Sequence, residues 1–275
     1  MLTAVEVTNS SGATLRLPVA DSSNGYTVRD IEGLDPVDAT LTTSTLAQED
    51  GAQAQNAQLT TRNITMKIGL EPNWATDTVQ SLRATLYNYL LPAAIIELAF
   101  YLDGTLFSTI SGQVESFANT MFSADPEVDI SIICYNPSFV SPNPRVLGLE
   151  TTSDTDGMTV NYTGTKETGI IFALSIDRDD LTEFVISNSQ PDGTYQQMTV
   201  SGDFSSGDVV TINTIQGSKA VTLTRAGLTA SLMYGVDRTQ LNWISFKKGN
   251  NAFKAIAAGA GIPYTLTYVS LYGGL

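Results

Sequence analysis

Apolar and polar residues alternate with period two through most of the chain, the spacing of strands that bury one face. AVEVTNSSGATLRLPV alternates on both sides of Ser11-Gly12 and predicts a hairpin turning there. Strand-like runs follow in GYTVRDIEGL, DATLTTSTL and LTTRNITMKIGL, then in AAIIELAFYLDG, TLFSTISGQVESFA and EVDISIICY, with Asp103-Gly104 as a second hairpin turn. One segment departs from this period. TDTVQSLRATLYNYLL places Val79, Leu82, Leu86 and Leu90 at helical spacing and predicts a helix over about 76–90, with Thr76 or Asp77 as its cap and Pro92 as its stop.

NPSFVSPNPRVLG holds three prolines in thirteen residues, a stiff extended composition that places a domain boundary near 136–150. Beyond it come MTVNYTG, GIIFALSID, TEFVISNS, YQQMTVSG, DVVTINTI, KAVTLTR, LNWISFKKG and YTLTYVSLY, with Gly217-Ser218 as a hairpin turn. Turn signals about every ten residues are the spacing of a β-sandwich or barrel. The pattern therefore predicts a mainly β chain in two domains, 1–140 with one helix and 141–275 almost wholly of strands.

Between two strand-like runs lies AQEDGAQAQNAQ (47–58), with no side chain larger than glutamine, no proline and one glycine. It is too long for a hairpin turn and too polar for a core, and long insertions of this kind are usually functional or disordered.

With 275 residues, 42% hydrophobic and 15% charged, the chain can bury a substantial core. The single cysteine, Cys134, sits in the apolar run DISIIC, which excludes an internal disulfide framework and points to a buried small residue. No run is apolar enough for a secretory leader or a membrane span, since LLPAAIIELAFYL is broken by Pro92 and Glu97; a soluble protein is expected. The sequons at Asn9, Asn63 and Asn161 are short patterns that arise by chance. Net charge is −14, and it is uneven: residues 1–140 carry 5 basic and 16 acidic side chains, residues 141–275 carry 9 and 12. That is the opposite of a phosphate-binding footprint.

The absence of histidine removes the commonest general base and metal ligand, and with them Ser-His and Cys-His nucleophile pairs. Asp177, Asp179, Asp180 and Glu183 form the densest acidic cluster, but they fall where a strand ends, so a solvated loop is expected and not a glycosidase pair. Asp154, Asp156 and Gly157 suggest a calcium loop, yet the glycine comes too early and no glutamate closes it. GAGIPY lacks the third glycine of a dinucleotide fingerprint, and SFKK at Ser245 follows a strand and not a helix start. Trp243, Tyr162, Tyr195 and Tyr234 are available for sugar stacking, although aromatics in a sandwich usually fill its core. No catalytic residue, metal or cofactor is therefore assigned.

The order of the pieces is more specific than any one of them. YTVRDIEGLDP, EDGAQ, TTRNITMKIGL, TVQSLRATLYNYL and GQVESFANTMFSADPEVDISIICYNPSFV, followed by SGDVVTINTIQGSKAVTL, LNWISFKKGNNAF and YVSLYGGL, resemble the distal tail proteins of long-tailed bacteriophages from about Gly25 to Leu275. The resemblance implies an N-terminal tail-tube-like β-sandwich with one helix, followed by a galectin-like β-sandwich. It implies a hexameric virion protein, assembled in the host cytoplasm, that joins tail tube to baseplate or tail tip and gives DNA a channel. Its partners would be the tail tube protein and the tail-tip, baseplate-hub and tape-measure-associated proteins, with no membrane insertion. The stretch at about 46–58 would be a belt reaching a neighbouring subunit, with Glu49, Asp50, Gln53, Gln55 and Gln58 at its tip and Arg62 and Asn63 at its base. A lumen of like charge would let DNA slide without sticking. The alternative, from a different class, is a carbohydrate-binding adhesion module that uses the second domain; 275 residues leave no room for an inserted sugar-binding module.

Overall fold

In the computed structural model, which describes all residues except 20, 23, 46–49, 121–122, 153–156 and 240, the period-two segments become strands. The period-3.6 segment becomes the one α-helix among the described residues. Contacts divide the chain into Met1–Pro142 with Tyr272–Leu275, and Asn143–Leu271. The return of Tyr272–Leu275 to the first unit departs from a simple division at 140/141, because turn signals carry no information about where a terminal segment docks.

The first unit contains β1 (Leu2–Asn9), β2 (Thr14–Pro18), β3 (Tyr26–Glu32), β4 (Ala39–Ser44), β5 (Gln53–Leu59), β6 (Arg62–Leu70), α1 (Val79–Leu90), β7 (Ile95–Leu102), β8 (Thr105–Asn119), β9 (Glu127–Cys134) and β10 (Phe139–Val140). Its main sheet runs β2-β1-β7-β8-β9-β6-β3. Both ends of this sheet feed one core, in which Val5 and Leu17 join Val28, Ile64 and the helix residues Leu82, Leu86 and Leu90. β2 and β3 also lie side by side, and the Asn24 side chain donates to the Arg16 carbonyl at 2.6 Å. A single sheet curled over its core thus supplies both layers of the sandwich.

β9 shows why only one face is apolar. Val128, Ile130, Ile132 and Cys134 are buried, while Asp129, Ser131 and Ile133 point outward. The turns follow their residues: Asp103 and Gly104 both have positive φ, as a type I′ hairpin turn requires. The helix begins later than the spacing predicts. Thr76 and Asp77 are used in a preceding turn, where both amides donate to the Asn73 carbonyl. Thr78 is the cap, accepting from the Ser81 amide while the Ser81 hydroxyl accepts from the Thr78 amide. Leu91 is extended because Pro92 disfavours the helical region before it.

The second unit contains β11 (Arg145–Glu150), β12 (Met158–Tyr162), β13 (Thr168–Gly169), β14 (Ile171–Ser175), β15 (Glu183–Ser189), β16 (Tyr195–Ser201), β17 (Val209–Asn213), β18 (Ala220–Arg225), β19 (Leu228–Ser231), β20 (Ser245–Phe246), β21 (Gly249–Ala257) and β22 (Pro263–Tyr268). A six-stranded sheet, β11-β22-β14-β17-β18-β19, and a four-stranded sheet, β12-β21-β15-β16, share one core. Phe172, Phe184, Phe253 and Tyr264 meet there at ring separations of 5.0–6.2 Å. β23 (Leu271–Tyr272) then leads into the segment that belongs to the first unit.

Candidate functional site

The acidic clusters in the second unit are occupied by local structure. Asp179 accepts from the Ser206 amide at 2.7 Å, Asp180 pairs with Arg178 at 3.1 Å, and Glu183 accepts from the Ser201 hydroxyl at 3.0 Å. These are loop and strand-end contacts with no opposed carboxylates. Asp154 and Asp156 lie outside the described residues. Ser245 of SFKK donates to Glu167 and accepts from Gln190 and Gln196, and Lys247 pairs with Asp192 at 2.7 Å. Tyr162 is buried, Trp243 is partly buried beneath Lys219, and Tyr195 and Tyr234 are exposed. In the first unit a cleft of about 710 Å³ lies between α1 and the Asp125–Glu127 turn. Arg29 engages Asp125 and Glu127 there, and it holds the Asp125 carboxyl below its usual range.

The feature that no internal contact explains is β4–β5. It forms a two-stranded sheet of its own, joined to no other strand among the described residues. Every residue of β5 is exposed, and every residue of β4 except half-buried Ser44. Two strands alone are marginally stable in water.

Its register defines two unlike faces. Ala39 pairs with Leu59, Leu41 with Ala57 and Thr43 with Ala54, so these six residues share one face. Thr40 with Gln58, Thr42 with Asn56 and Ser44 with Gln53 form the other. A bulge at Gln55, whose amide donates to the Ser44 hydroxyl at 2.7 Å, lets Ala54 and Ala57 share a side despite their odd spacing. Leu41 is 67% exposed and Leu59 44%.

Of the belt residues singled out from sequence, Gln53 and Gln58 lie on the polar face, Gln55 is the bulge, Asp50 is exposed before β5, and Glu49 lies outside the described residues. Asn63 is exposed on β6 and accepts from Ser131 at 3.0 Å. Arg62, expected at the base of the belt, is 1% exposed within its own protomer. Its guanidinium donates to the carbonyls of Gly33, Asp35, Pro137 and Gly273 and stacks on the Phe139 ring at 4.4 Å. Burial, by removing water from the cation, pulls its pKa down. The residues that sequence reasoning missed are Leu41 and Leu59, whose ordinary strand appearance hid that no core lies beneath them.

A second surface is the outer face of the main sheet. Asp30, Lys67 and Asp129 stand in one cross-strand row, and Glu32, Thr65 and Ser131 in the next. Glu97 on β7 shares the outward parity, and Glu115, on a bulge of β8, accepts from Ser131. Carboxylates outnumber the one lysine in this group, so this face carries part of the negative charge read from sequence.

Residues 163–272 match the family model described as the siphovirus-type tail component, C-terminal domain. No curated protein matches. The crystal structure of SPP1 Dit, described as a paradigm of the hub adsorption apparatus in phages infecting Gram-positive hosts, matches at TM-score 0.66 and 15% identity over 97% of this chain and 98% of that one. Two structures of the phage P2 baseplate in its activated conformation, with Ca and with Sr, match at TM-scores of 0.43 and 0.41 and 10% identity, each over 98% of its own chain and 98% and 97% of this one.

Proposed function

We propose that this chain, whose second unit carries the siphovirus-type tail component match and whose fold is that of SPP1 Dit, is a structural component of a phage tail hub. It forms a hexameric ring between tail tube and baseplate or tail tip. The hairpin of one subunit lies across the next and covers its bare apolar face. The observation that carries this reading is a two-stranded sheet with Leu41 and Leu59 uncovered on one side, a costly arrangement unless a partner buries it. The acidic outer face of the main sheet lines the lumen and repels passing DNA. The second unit serves as a galectin-like platform for tail-tip, baseplate-hub and tape-measure-associated proteins, while the ring domain meets the tail tube protein. The particle is assembled in the host cytoplasm and needs no catalysis.

Light scattering across a range of concentrations tests this reading, on the intact chain and on a variant lacking residues 48–57. The intact chain is expected to reach the mass of a hexamer, or of two stacked hexamers, and the deletion variant to remain a folded monomer. A deletion variant that still assembles would overturn the role of the hairpin. An intact chain that binds glycans or cells alone and never assembles would favour an adhesion module.

A further inference from the structure

We infer that Tyr272–Leu275 is a strap that fixes the root of the β4–β5 hairpin, with the buried Arg62 guanidinium as its clasp. The hairpin contributes no side chain to the core, so its direction is set only where it leaves the body of the unit, at residues 33–38 and 60–61. Those segments are irregular, and few of their backbone groups can be satisfied by strand pairing.

The strap and Arg62 supply the missing partners. The Leu275 amide donates to the Leu34 carbonyl at 3.0 Å. Arg62 bonds Asp35 at 2.6 Å and Gly273 at 2.5 Å through different nitrogens, so one rigid planar group ties the root to the strap. The Tyr272 ring packs 5.0 Å from Phe107, and Tyr272, Leu34 and Leu275 pack against the same core. Gly274 marks how closely strap and root approach. A Cβ there would lie 2.9 Å from the Pro36 ring and 3.0 Å from the Leu34 carbonyl, so even alanine forces them apart. Arg62 is thus a positioning residue. Its guanidinium gathers carbonyls from separate segments, at Gly33, Asp35, Pro137 and Gly273.

Backbone amide hydrogen exchange tests the strap within one polypeptide, so its result stands apart from the ring reading. In Gly274→Ala and in Arg62→Lys, the Leu275 amide, which donates to the Leu34 carbonyl, and the root amide of Thr60, which donates to the Asp38 carbonyl, are expected to exchange about tenfold faster, the change from losing one net hydrogen bond; in a chain lacking residues 273–275 the Thr60 amide is expected to do the same. The β7–β8 ladder should keep its wild-type protection. Because Arg62→Lys can destabilise the whole unit, Gly274→Ala is decisive: it removes no hydrogen-bonding group and alters only the approach. Root exchange that is unchanged in Gly274→Ala, or that rises no more than exchange in the β7–β8 ladder, overturns the strap.

Discussion

Replacing Leu41 with serine removes apolar surface that the isolated protomer leaves bare, so the substitution separates assembly from folding. Leu41 is 67% exposed. Fully burying a leucine contributes about 1.5–3 kcal/mol, so covering that remaining fraction contributes about 1–2 kcal/mol to each subunit contact. Losing it weakens each contact about tenfold. A closed ring of six has six contacts formed over five association steps, so the concentration at half assembly should rise by slightly more than that factor. Stability of the protomer should stay within about 0.5 kcal/mol, the usual range for an exposed position. The assay pairs light scattering against concentration with urea unfolding under dissociating conditions. If the assembly midpoint does not move while unfolding is unchanged, the apolar face of the hairpin is not a contact and the reasoning fails.

Further outcomes follow from the same geometry. Changing Asp30, Glu32 and Asp129 to lysine should convert the outer face of the sheet into a salt-sensitive DNA-binding surface, read by electrophoretic mobility at low and moderate salt; unchanged mobility would place these acids away from the lumen. Asp208 is buried, accepts from Arg225 at 2.6 Å and from the Ser205 amide at 2.9 Å, and is held below the usual carboxylate range mainly by Arg225. Its folded pKa lies below its unfolded value of about 3.9, so its stabilisation is complete above that pH and is lost as pH falls through the folded value. Melting temperature should therefore drop below about pH 4, and Asp208→Asn should be less stable at neutral pH with a shallower acid decline. Burial pushes the Cys134 thiol up to about 11, so at pH 8 a disulfide reagent should label it only at the rate of unfolding; faster labelling would mean that the core opens locally.

Much of the fold was legible in the chain because it rests on local periodicity. Alternation in EVDISIIC specifies which residues face inward, and Asp103-Gly104 specifies its turn. The helix start was missed by about three residues because Thr76, Asp77 and Thr78 are all competent caps, and only the turn built on Asn73 decides among them. The belt was legible as a segment unfit for a core, but its amphipathic character was not. Ala54 and Ala57 share a face only through the bulge at Gln55, and bulges leave little signature in one sequence.

The sequence by itself determined that this is a β-rich chain with one helix, a proline-rich boundary, an acidic first half and no histidine chemistry, because composition, period and turn residues act over a few neighbours. Tertiary structure alone decided what lay under each strand. DATLTTSTL and EVDISIICY look alike as strands, yet β9 buries Val128, Ile130, Ile132 and Cys134 while the face of β4 bearing Leu41 covers nothing in its own protomer. It likewise decided the burial of Arg62, since the carbonyls it gathers come from positions 33, 35, 137 and 273. Convergence of groups so distant in sequence is a property of the closed fold and leaves no local pattern to read.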